Sequence, residues 1–233
     1  MSLLKHLLNQ IETAFSENPH RFFTEHDLHF ELSRIATGFL INERSLFQET
    51  CDEPKKFVVS RIHHEYPTPF RCYMKNSDFT LITEDEFKAM KLKDPKFRAR
   101  RGWIDFVVLG SEFISSNTLR VVSGKRYRDL LESLKKKQCT ALDLAVEIVY
   151  FPMFDEKRHI GIMRRKVSST IQDYNKLVAV KQFAYPDGTP FCHEAAMMLF
   201  SNTIHKDQLE EILASFPLRK AVSFFSIIVS GLS

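Results

Sequence analysis

Leu142-Asp143-Leu144-Ala145-Val146-Glu147-Ile148-Val149-Tyr150 is the stretch that decides how this chain is read. It is short, almost wholly apolar and rich in β-branched residues, the pattern of a strand covered on both faces in the middle of a sheet. Two charges interrupt it, Asp143 near its start and Glu147 inside it. Side chains alternate along a strand, so Ala145, Glu147 and Val149 share one face. An ionised carboxylate on a buried face is costly unless a cation or strong donors meet it. Glu147 is therefore either paired structurally or holding something. A second run, Trp103-Ile104-Asp105-Phe106-Val107-Val108-Leu109, poses the same problem with Asp105. Two adjacent buried strands that each carry one acid would make a metal site.

The bounds around these strands are ordinary. A chain of 233 residues with unexceptional hydrophobic content reads as one globular domain with a sizeable core. The 21 phenylalanines predict an aromatic-rich interior. A net charge of +4 permits nucleic-acid binding without demanding it. Cys51, Cys72, Cys139 and Cys192 are far apart, with no Cys-x-x-Cys, so a zinc ribbon is disfavoured and reduced thiols in a cytoplasmic protein are expected. The first residues lack a signal-peptide pattern, and no run reaches membrane-spanning length. No Gly-x-Gly-x-x-Gly, Walker loop or Gly-x-Ser-x-Gly is present, which argues against nucleotide-binding and α/β-hydrolase sites.

In chain order, Leu4, Leu7, Leu8, Ile11 and Phe15 predict an amphipathic helix over 2–15, broken at Asn18-Pro19. Thr24 with Asp27 three residues on reads as a capping box. The helix that follows carries Leu28, Leu32 and Ile35 on one stripe, and Glu31 lies on that stripe as a buried ion-pair member or a site acid. A strand within Lys56–Tyr66 is expected to end at Pro67. Pro67 and Pro69 mark a turn, and Phe70 to Met74 return as a short strand. Thr83 to Glu86 begins a helix, and a basic cluster follows. Residues 111–124 read as a loop or short edge strand, Lys125 to Lys137 as a basic amphipathic helix, and Phe151 to Ile162 as a loop or hairpin. A helix from about Arg164 to Phe183, a turn at Tyr185 to Gly188, a strand at Glu194 to Ser201, a helix at Lys206 to Ser215 and a strand at Ala221 to Val229 complete the chain. The fold expected is α/β, a mixed central sheet of about five strands flanked by helices. It forms one domain over 1–233, with residues 1–24 a helical extension.

Three segments carry a resemblance: Glu-Leu-Ser-Arg-Ile at 31–35, Arg-Arg-Gly-Trp-Ile-Asp-Phe-Val-Val-Leu at 100–109, and Ala-Val-Glu-Ile-Val-Tyr at 145–150. In this order, from about Asp27 to Lys176, the chain resembles the PD-(D/E)XK nuclease superfamily, whose restriction-endonuclease-like core is a helix, three mostly antiparallel strands, a crossover helix and a further strand. The resemblance implies that Asp105 and Glu147 hold Mg²⁺ or Mn²⁺, that the carbonyl of Ile148 completes the shell, and that Glu31 is the helix glutamate supporting them. Magnesium takes oxygen ligands, commonly one or two carboxylates with water and phosphate. The motif lysine, expected two residues after Glu147, is Val149 here. In some members it has moved to the following helix, where Lys176 is the candidate and Lys166 an alternative. The implied activity is hydrolysis of phosphodiester bonds, in DNA, with Glu31, Asp105, Glu147 and Lys176 as the catalytic set. The alternative is a catalytically inactive nuclease-fold module that binds nucleic acid or a protein partner. Arg100, Arg101, Lys125, Arg126, Arg164 and Arg165 are the basic residues placed to neutralise phosphates. Membrane association is not expected, and an oligomer is left open. His63-His64-Glu65 looks like a metal cluster on paper, but adjacent strand residues point to opposite faces.

Overall fold

The computed structural model describes residues 2–22, 24–75, 78–124, 129–130, 132–133, 136, 139–151, 159–185, 187–202, 206–214, 216 and 222–228. Within these, the side chains of 20, 74–75, 78–79, 159–165, 206, 208 and 212 are left aside. The expected basic helix at Lys125–Lys137 and most of the Phe151–Ile162 connection therefore fall largely outside the described residues, Lys125 and Arg126 among them.

Helix α1 (Leu3–Glu17) starts where the Ser2 hydroxyl accepts a hydrogen bond from the Lys5 N–H and stops at Asn18, before Pro19. Its stripe of Leu4, Leu7, Ile11 and Phe15 is buried. Helix α2 (Glu25–Asn42) opens on the expected capping box: the Thr24 N–H donates to Asp27 Oδ2 at 2.8 Å, and the Asp27 N–H donates back to Thr24 Oγ1 at 3.3 Å. Strands β1 (Phe47–Glu49) and β2 (Val58–Ser60) pair as a small antiparallel ribbon that periodicity did not predict as a unit. The main sheet then accumulates from β3 (Ile62–Lys75), β4 (Asp78–Thr83), β5 (Arg100–Leu109), β6 (Leu142–Phe151), β7 (Cys192–Ser201) and β8 (Ser223–Ile228). Between them lie α3 (Glu84–Lys93), α4 (Ser111–Ser115), α5 (Leu119–Val122), α6 (His159–Gln182) and α7 (Lys206–Ala214).

The sheet has six strands in the order β4-β3-β5-β6-β7-β8, not about five. β3, β4, β5 and β6 pair antiparallel, while β6, β7 and β8 run parallel through helical crossovers. Helices cover both faces. α1 and α2 bury Leu7, Ile11, Leu28 and Leu32 against Phe106, Val108, Val146 and Ile148. Tyr174, Leu177 and Val178 of α6 pack against Val107, Ala145, Val149 and Leu199 on the other side. The segment expected as an N-terminal extension thus supplies α1 to the same layer as α2. No helix among the described residues is long and apolar enough to cross a membrane. All four cysteines are free.

Two local expectations are corrected. Pro67 and Pro69 do not end a strand; β3 runs through both, with a register shift against β5 between Pro67 and Arg71. On its other edge β4 pairs only with Phe70–Lys75, so the prolines occupy an irregular, half-unpaired stretch where a missing N–H costs little. Residues 111–124 are not strand or plain loop but the short helices α4 and α5.

One irregularity positions the site. Residues two apart in a regular strand share a face. Ile104 nevertheless packs into the α6-side core while Phe106 packs into the α1–α2 side. On β3 the reversal is matched: Tyr66 joins the α6-side core, whereas His64 packs edge-on against Phe106. Glu65, between them, has φ +49°. Both strands therefore turn over together at Glu65 and Asp105.

Candidate active site

The reversal leaves Asp105 between the two helical layers, at the head of a cleft of about 750 Å³. Glu147 and Val149 line the cleft from β6, Arg100, Arg101, Gly102 and Trp103 from β5, and Lys166, Thr170, Asp173 and Lys176 from α6, with Glu25 reaching it from α2. Gly102 is needed there: a Cβ would lie 2.6 Å from the Thr68 hydroxyl, where β5 approaches the irregular part of β3.

The anomaly in β6 is resolved by α6. Lys176 Nζ lies 2.8 Å from Glu147 Oε1 and 3.1 Å from Asp173 Oδ1, and the Lys176 and Glu147 side chains are only 8% and 3% exposed. Burial pushes Glu147 well above the ordinary carboxylate range; Lys176 opposes this, while Asp105 and Asp173 reinforce it. Asp173 is raised for the same first reason, burial. Burial works against the Lys176 ammonium too, but Glu147 and Asp173 outweigh it and its pKa is raised. With three acids facing one ammonium, burial and the neighbouring acids together raise Glu147 and Asp173 above the usual carboxylate range.

Asp105 Oδ2 accepts a hydrogen bond from the Ile148 N–H at 3.0 Å. The N–H and C=O of a strand residue point the same way, so the Ile148 carbonyl also faces the β5 side. On the α2 side, ligand atoms of Glu25, His29 and Asp105 lie within 4.8 Å of one another. His29 Nε2 is buried without a hydrogen-bond partner among the described residues. Burial lowers the His29 pKa, with Asp105 and Glu25 opposing and His64 and His26 assisting, which favours the neutral imidazole that binds metals. Lys166 donates to the Tyr150 carbonyl and approaches Glu25 Oε2 at 3.5 Å.

The residues singled out in the sequence fall as follows. Asp105, Glu147, Ile148, Lys176, Arg100 and Arg101 all line the cleft. Glu31 does not. It is buried as its stripe position implies, but its carboxylate is held by Arg34, through Nε at 3.0 Å and Nη2 at 2.6 Å, and by Arg21 at 3.2 Å. The Arg34 hydrogen bonds chiefly hold its pKa low. Glu25 is the acid that α2 brings to the cleft instead. Glu147 pairs with Lys176, and Asp105 lies with Glu25 and His29. Arg164 and Arg165 lie on α6 with their side chains outside the described residues. Glu25 and His29 were missed, although their i, i+4 spacing just after the Thr24 cap places both on one helix face.

This donor set fits a divalent cation: two carboxylates, an imidazole with an unpartnered buried nitrogen, and a backbone carbonyl nearby. Magnesium prefers oxygen throughout, whereas an imidazole among carboxylates suits Mn²⁺ as well. No protein-family model, curated protein or solved structure matches the chain.

Proposed function

We propose that this chain is a metal-dependent nuclease of the PD-(D/E)XK type that hydrolyses phosphodiester bonds in DNA. The observation that carries the proposal is the buried Lys176 ammonium, 2.8 Å from Glu147, at the head of a cleft shared with Asp105. It gives the lysine that the motif lacks at Val149 a source on the following helix. The order α2, β3, β5, β6, α6, β7, with three antiparallel strands and a parallel crossover, supports the restriction-endonuclease-like reading.

Asp105, Glu25 and His29, with the Ile148 carbonyl beside them, would hold the ion. A divalent cation held there would polarise the scissile phosphate and lower the pKa of its bound water. Lys176, kept in place by Glu147 and Asp173, would present a fixed positive charge where negative charge develops on the phosphate. Glu147 thus positions the ammonium. Arg100 and Arg101 line the cleft as phosphate anchors, which makes binding weaker as salt rises.

The test is cleavage of single- and double-stranded DNA with Mn²⁺ or Mg²⁺, by wild type and Asp105→Asn. Cleavage by wild type, abolished by chelator and by Asp105→Asn, supports the reading. DNA binding with no cleavage under any metal condition would move the chain to the inactive alternative.

A further inference from the structure

Trp103, the single tryptophan of the chain, is two residues from Asp105 on β5 and lines the cleft. A tryptophan on a strand next to the main core would ordinarily be buried, yet this residue is 44% exposed. The Arg101 guanidinium sits over it, 5.4 Å from the ring centroid. Arg101 therefore covers part of the ring as a cation–π partner, and Arg100, exposed, precedes it along the cleft. An aromatic ring interleaved with guanidinium groups along one strand is what a polynucleotide needs, a π-face for a base and positive charge for its phosphates. Base faces inside a duplex are already stacked on their neighbours, so such a ring is of use only to a base that is unpaired. At about 750 Å³ the cleft is in the range of pockets that take one small organic ligand, the scale of a nucleotide or two rather than of a duplex.

We propose that Trp103 is a stacking platform that selects single-stranded DNA and seats a base beside the reacting phosphate. This rests on the nuclease reading for its site but not on catalysis for its test. The tryptophan is also its own probe. In chelator, where no cleavage occurs, an oligothymidylate titrated into the full chain should quench the Trp103 emission saturably, and a blunt duplex of the same length should not. By anisotropy of a labelled oligothymidylate, Trp103→Ala should bind roughly tenfold more weakly or worse, and Trp103→Phe should retain most of the affinity. Because the residue is half-exposed, both variants should melt close to wild type, and circular dichroism checks this. Unquenched emission on binding, equal affinity for duplex and single strand, or wild-type affinity in Trp103→Ala would each overturn the proposal. Quenching by single strands with no cleavage in any metal would leave it standing while sinking the nuclease reading. Metal-dependent cleavage that is indifferent to strandedness and to Trp103→Ala would do the reverse.

Discussion

Around Lys176, burial and excess negative charge act together on Glu147 and Asp173, and their consequence is a pH dependence of unusual sign. A carboxyl whose native pKa is raised above its unfolded value contributes stability that is fully present below the unfolded value, near 4.5 for a glutamate, and lost as pH rises through the native one. An ordinary ion pair gives the opposite slope. Glu147→Gln removes this contribution while keeping shape. Measured by thermal melts in chelator between about pH 5 and pH 8, the variant should gain on wild type as pH rises. Parallel curves, or wild type gaining on the variant, would mean that Glu147 behaves as a simple ion-pair member. Glu147 was legible in the sequence because a charge inside an apolar strand demands a partner, whereas Lys176 entered only as what the resemblance implies. Glu31 made the same demand, but its partners are Arg34, one turn on, and Arg21, outside the helix. The sequence exposes a buried acid; it does not say which cation reaches it.

At the scale of elements, the site depends on β3 and β5 turning over together at Glu65 and Asp105. A non-glycine residue at positive φ costs about 1–2 kcal/mol, and glycine in a strand costs about 0.5–1 kcal/mol in lost freedom. Glu65→Gly should therefore be neutral or stabilising by up to about 1.5 kcal/mol. Glu65→Val, β-branched and without a left-handed minimum, should lose about 2 kcal/mol or more. Urea unfolding of the two variants checks this, and equal stabilities would show that φ at this position is not constraining. Nothing in the alternation of apolar residues signals the reversal, since a period of two assumes a flat strand. Pro67 and Pro69 misled for a related reason: proline excludes a regular ladder, not a strand with an open edge and a bulge. The capping box at Thr24 and the helix start at Thr83 were legible because their chemistry is local.

At the scale of the molecule, α2 and α6 lie on opposite faces of the sheet, and the cleft collects Glu25 from one and Asp173, Lys166 and Lys176 from the other. Binding of an ion to Glu25, His29 and Asp105 would tie α2 to the sheet in the native state alone, so it must raise stability by mass action. At a hundredfold excess over Kd the gain is about 2.7 kcal/mol, or roughly 5–10 °C in Tm for a chain of this length. Mn²⁺ should produce that shift in wild type and lose it in His29→Ala and Asp105→Asn; a shift unchanged in both would place the metal elsewhere. The order of helices and strands could be read from the sequence, because each segment has its own period and punctuation. The sheet order and the meeting of α2 with α6 across it could not, being set by packing between segments far apart in the chain. The claim on which the functional reading turns is that Lys176 does the work of the lysine absent at Val149. Its most direct test is the rate of DNA cleavage by Lys176→Met at saturating Mn²⁺, on protein shown to be folded and to bind Mn²⁺ as wild type does. A fall of roughly 100- to 1,000-fold is predicted, and cleavage at the wild-type rate would contradict the account.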